Sequence, residues 1–83
     1  MRFYIWKRVI FIKKILTLRE REVFELLIVN YSTKEIADKL KISEKTVRNH
    51  ISNVMQKLDV INRSNAIIEL LKLKEIQIKN HEN

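Results

Sequence analysis

The chain has 83 residues, a net charge of +7, and no cysteine, glycine or proline. That length allows one small domain, and the missing cysteine excludes disulfides and zinc–thiolate sites and suits a reducing cytoplasm. Without glycine there is no Gly-rich phosphate loop, and His50 and His81 are too few and too far apart for a typical metal cluster; most enzyme classes drop out, and no cofactor or small-molecule ligand is expected.

Residues 1–16 carry Arg2, Lys7, Arg8, Lys13 and Lys14 with no acid. Their apolar runs are broken by the basic pairs and are too short for a membrane span or a signal peptide. Trp6, Phe3 and Tyr4 suit packing more than base stacking. This segment reads as a basic, apolar extension. Packing against the domain, a loose tail, and a weak membrane or phosphate contact all stay open for it.

The first helix begins near Thr17, where Thr17 and Glu20 have capping-box spacing. Val23, Phe24, Leu26 and Leu27 form its apolar stripe. Glu20, Glu22 and Glu25 read as a solvated face. Asn30-Tyr31 ends the helix, because Asn tolerates the left-handed conformation. The second helix repeats the device with Ser32 and Glu35, and its inner face is Ile36, Ala37 and Leu40. Lys41-Ile42 is a short turn.

The third helix starts at Ser43, a favoured N-cap. Val47, Ile51, Val54 and Leu58 recur at spacings of four, three and four, which defines one buried face. A break at 59–62 leads to a fourth helix from Arg63 to Lys74 or beyond. Its apolar residues are Ala66, Ile67, Leu70, Leu71 and Leu73. They close the monomer core, meet a second copy, or do both. Residues 79–83 are polar and read as frayed.

The charge singles out the third helix. Residues 17–42 and 59–83 are each neutral, whereas 43–58 carry a net +2, with Glu44 the sole acid. A helical wheel sets Lys45, Asn49, Ser52, Asn53 and Gln56 opposite the apolar stripe, flanked by Arg48, Thr46 and Lys57. Arg matches the guanine edge of a major groove, and Asn or Gln matches adenine. Lys, Thr and helix-start amides suit phosphates. The same pattern also describes an ordinary solvated helix, so chemistry alone leaves both readings open.

Four motifs narrow this. Leu16-Thr17-Leu18-Arg19-Glu20-Arg21-Glu22-Val23, then Lys34-Glu35-Ile36-Ala37, then Ser43 through Ile51, then Lys57-Leu58 stand in order. Together they resemble the LuxR-type helix-turn-helix family over residues 16 to about 76, and most of all its spore-germination members. The resemblance implies an all-α, four-helix domain at 16–76, between an extension at 1–15 and a tail at 77–83. The helix-turn-helix would span about 33–58. It also implies a sequence-specific regulator of late sporulation genes, dimeric and cytoplasmic, with its third helix in the major groove of double-stranded DNA.

By position, the resemblance assigns Lys45, Arg48, Asn49, Ser52 and Asn53 to base reading. Thr33, Lys34, Thr46 and Lys57 would hold phosphates. Ala66, Ile67, Leu70 and Leu71 would form the dimer interface, and RNA polymerase is a further candidate partner. Asn30-Tyr31 and Asp59 replace the glycines common in the family; Asn and Asp are the next-best residues for positive φ. Two other classes compete: a promoter-binding fragment like region 4 of a sigma factor, and a helical interaction or membrane-surface module using residues 1–16.

Overall fold

The computed structural model describes residues 15–76. The expectations for residues 1–14 and for the 77–83 tail lie outside them. Among the described residues four helices follow one another: α1 (Leu18–Ile28), α2 (Thr33–Leu40), α3 (Glu44–Leu58) and α4 (Arg63–Lys72). No strand is present among the described residues, as the four-helix reading expects.

Each helix begins at a side-chain cap. Thr17 Oγ1 accepts from the Glu20 amide at 3.1 Å, and the Thr17 amide donates to Glu20 Oε1 at 3.0 Å. Ser32 and Glu35 form the same reciprocal pair at 3.1 and 2.8 Å. Ser43 Oγ accepts from the Thr46 amide at 3.0 Å, and Asn62 Oδ1 from the Asn65 amide at 2.8 Å. Free donors in each first turn are thereby satisfied.

Each helix also ends alike. Asn30, Lys41, Asp59 and Lys74 have φ of 76°, 60°, 58° and 61°. The next amide then reaches five residues back: Tyr31 to Leu26, Ile42 to Ala37, Val60 to Met55 and Glu75 to Leu70. This is the left-handed stop that usually employs glycine, made here in a chain that has none. Asn30 and Asp59 tolerate it; the two lysines carry a steric cost. The fourth helix therefore stops at Lys72, two residues short of the sequence expectation, because Lys74 has already turned left-handed.

The core is one cluster. Val23 and Phe24 come from α1, Ile36 and Ala37 from α2, Val47, Ile51 and Val54 from α3, and Ala66 and Leu70 from α4. Leu16 and Ile76 close it at the two ends of the described chain. Helix α3 packs against all three others, so the core holds its apolar stripe from three sides. Tyr31, Ile42 and Val60, the residues just past three helix ends, tuck against the same cluster.

Two interface residues expected from the sequence are displaced by this packing. Ala66 and Leu70 have no exposed surface at all. They belong to the monomer core and cannot meet a second copy. Ile67 and Leu71 are half-buried against the core, and Ile68 is 49% exposed. The outward side of α4 is therefore rotated from the expected one.

Candidate nucleic-acid interface

The helix-turn-helix is α2, the Lys41–Ser43 turn and α3. Left-handed Lys41 ends α2 and turns the chain within three residues, and half-buried Ile42 seats the corner. Small Ala37, buried on α2, faces the core beside Ile36. The corner fixes which side of α3 looks outward.

That side is open. Lys45, Arg48, Asn49, Ser52, Asn53 and Gln56 are all exposed, while Val47, Ile51 and Val54 opposite them are buried. All five residues expected to read bases thus stand on one face that is exposed among the described residues. Thr46 is half-buried and its Oγ1 accepts from Ser43 Oγ at 2.9 Å. Lys34 is exposed on the first turn of α2, and half-buried Thr33 beside it donates to Glu44 Oε2 at 3.3 Å. Glu44 Oε1 also lies 3.9 Å from an Arg48 guanidinium nitrogen.

Lys57 stands apart from the other phosphate candidates. Its Nζ donates to Glu20 Oε1 at 2.6 Å and to the Ile15 carbonyl at 3.0 Å. An ammonium has three donors, and two are turned inward. Its placement makes Lys57 a brace between the last turn of α3 and the start of α1. The matching surprise is Glu20. It is 4% exposed, so it is not part of a solvated face. Its spacing gave a readable signal: Glu20 lies three and four residues before Val23 and Phe24, on the inward stripe of α1.

Burial pushes the Glu20 carboxyl up. The Lys57 hydrogen bond, the Thr17 amide, and the charges of Lys57 and His50 outweigh it and hold the carboxyl below its usual range. His50 is half-buried on α3 and contributes to this packed corner.

A second buried acid anchors the end of the fold. Glu75 is 3% exposed. Arg21 donates to the Glu75 main-chain carbonyl and, at 3.2 Å, to its Oε1. Among the described residues, no group of three or more His, Cys, Asp or Glu could hold a metal ion, and no helix is long and apolar enough to cross a membrane.

With this geometry in place, the comparisons with known proteins decide the family. Residues 14–70 match the bacterial regulatory proteins of the luxR family. The chain belongs to that family. Spore germination protein GerE of Bacillus subtilis (strain 168) is 64% identical over 66 residues, which are 80% of this chain and 89% of GerE. Transcriptional regulatory protein DegU of Brevibacillus brevis is 45% identical over 65 residues, and there the chain spans only 28% of the relative. The solved structure of the transcription factor GerE superposes with a TM-score of 0.75 at 64% identity, over 77% of this chain and 96% of that one. The luxR-family fold expected from the motifs is therefore the fold observed.

Proposed function

We propose that this chain is a sequence-specific DNA-binding transcription regulator of the GerE type, cytoplasmic and acting on late sporulation genes. The observation that carries this is the two-sided character of α3. One side is locked into the core, and the other presents six hydrogen-bonding side chains that are exposed among the described residues. A helix so presented fits a major groove. The family match and the 64% identity to GerE support the regulatory role.

In this reading Lys45, Arg48, Asn49, Ser52 and Asn53 meet base edges, while Thr33, Lys34 and Thr46 steady the backbone. Two copies present two α3 helices to successive half-sites. Exposed Ile68 on α4 and Ile61 just before it, together with half-buried Ile67 and Leu71, supply the contact between copies; Ile61 is 89% exposed. RNA polymerase is a further proposed partner once DNA is bound.

The test is selection of bound duplexes from random DNA by the purified chain, without polymerase, followed by affinities at several salt concentrations. The account expects an enriched motif and an affinity that falls linearly on a log–log salt plot. Arg48→Ala should cost about 1–3 kcal/mol at one base pair of each half-site and relax the preference there. No enriched motif, or an Arg48→Ala variant with the wild-type preference at every position, contradicts it.

A further inference from the structure

Glu44 is the lone acid of α3, and it sits among groups meant for an anion. It occupies the first helical position after the Ser43 cap, where the helix dipole favours negative charge and where a DNA phosphate would otherwise be welcomed. One of its carboxylate oxygens accepts from Thr33 at the start of α2. The other lies 3.9 Å from Arg48, one turn further along α3. A single carboxylate therefore bridges both helices of the helix-turn-helix and touches one candidate phosphate holder and one candidate base reader.

We propose that Glu44 is a specificity-determining positioning residue: it holds Arg48 toward the base edges and denies it to phosphate. This rests on the DNA-binding reading above. Phosphate and base edges compete for Arg48. An exposed arginine at the rim of a groove is drawn to the nearest phosphate whatever the sequence. The Glu44 carboxylate repels phosphate and attracts the guanidinium, so it opposes that capture. In water the pair is weak, since both side chains are about half exposed, at 42% for Glu44 and 55% for Arg48, and exposed pairs contribute little. Between the walls of a groove, with water displaced, the same charges interact more strongly. The bias thus operates on DNA, where it is needed.

Glu44 thus acts on the ratio of specific to non-specific binding, and that ratio is what the experiment reads. The full chain and its variants are titrated against the duplex that wild type selects and against a random duplex of equal length. Glu44→Gln keeps size and hydrogen bonding but removes the charge. It should tighten binding to the random duplex and lower the selected-to-random ratio by about fivefold or more, the low end of what one bidentate arginine contact confers. Asp59→Asn removes the same charge at the opposite end of α3 and should leave the ratio at its wild-type value. In an Arg48→Ala background, Glu44→Gln should change the ratio by less than about twofold, because coupled residues act non-additively. Thermal melts of each variant confirm that the fold is retained.

A Glu44→Gln ratio equal to wild type overturns the proposal. So does an equal loss with and without Arg48, which would mean that Glu44 acts on DNA by itself. If wild type selects a motif, either result leaves the DNA-binding reading standing. If wild type selects none, both fall.

Discussion

Lys57 donates to Glu20 at 2.6 Å across the interior end of the molecule, joining residues 37 apart in sequence. The same Glu20 oxygen accepts from the Thr17 amide, and the same ammonium donates to the Ile15 carbonyl. The first turn of α1 and the last turn of α3 are therefore one hydrogen-bonded unit. The pose of the outward face of α3 is set at its far end by this brace, as it is set at its near end by the Lys41–Ser43 corner.

Removing the brace should act on stability before DNA. Lys57→Ala leaves a buried carboxylate without its ammonium partner and should cost about 1–2 kcal/mol. For a domain of this size that corresponds to a melting point lower by roughly 4–8 °C per kcal/mol, read by circular dichroism. The slope of the salt plot for DNA binding should stay at its wild-type value, whereas loss of a phosphate contact would reduce it by about 0.9. An unchanged melting point with a smaller slope would return Lys57 to the phosphate holders.

Acid should weaken the same unit. The Glu20 carboxyl lies below its ordinary value of 4.5 in the folded chain. The unfolded chain then takes up the proton first. The stabilising contribution is whole above 4.5 and is lost as pH falls through the folded value. The wild-type melting point should drop on acidification below 4.5. Glu20→Gln should melt lower at neutral pH and fall less steeply in acid. An acid slope identical in the two proteins would place the titration elsewhere.

The helix ends offer a gain. Lys41 holds φ at 60° with a side chain that disfavours it. Its side chain is exposed, so little packing is lost on removing it. Lys41→Gly should stabilise the fold by about 0.5–1 kcal/mol, the relief of left-handed strain less the extra freedom of the unfolded chain. Asp59→Gly should gain less, since Asp accepts this conformation more readily. Denaturant midpoints measure both, and a destabilised Lys41→Gly would show that the strain is relieved some other way.

The two sides of α4 should behave differently. Leu70 is fully buried, and Leu70→Glu should unfold the monomer by placing a charge in the core. Ile68 is half exposed, and Ile68→Glu should leave the helical spectrum intact while shifting the proposed dimer to monomers by sedimentation. A folded, fully dimeric Ile68→Glu protein would place the contact between copies away from this face.

Local signals were legible from the residues; long-range pairings were not. Thr17/Glu20, Ser32/Glu35 and Ser43 marked three helix starts, because a cap depends on residues three apart. The stripe Val47, Ile51, Val54 and Leu58 gave the orientation of α3, and with it the exposed set from Lys45 to Asn53. Leu58 is only half-buried in that stripe. The inward turn of Lys57 and Glu20 depends on two helices meeting across 37 residues, and the Arg21–Glu75 anchor across 54. Periodicity within one helix carries no information on such partners. The same limit misassigned Ala66 and Leu70. An apolar stripe shows that a helix side is covered, not whether the cover is the same chain or another.

The central claim is that the outward face of α3 is the surface that meets DNA. Amide chemical shifts of the labelled chain, titrated with the duplex it selects, test this most directly. The account predicts that the largest changes fall on Lys45, Arg48, Asn49, Ser52 and Asn53, with smaller ones at Thr33 and Lys34. Changes concentrated on α1 or α4, with that α3 face unmoved at saturation, would contradict it.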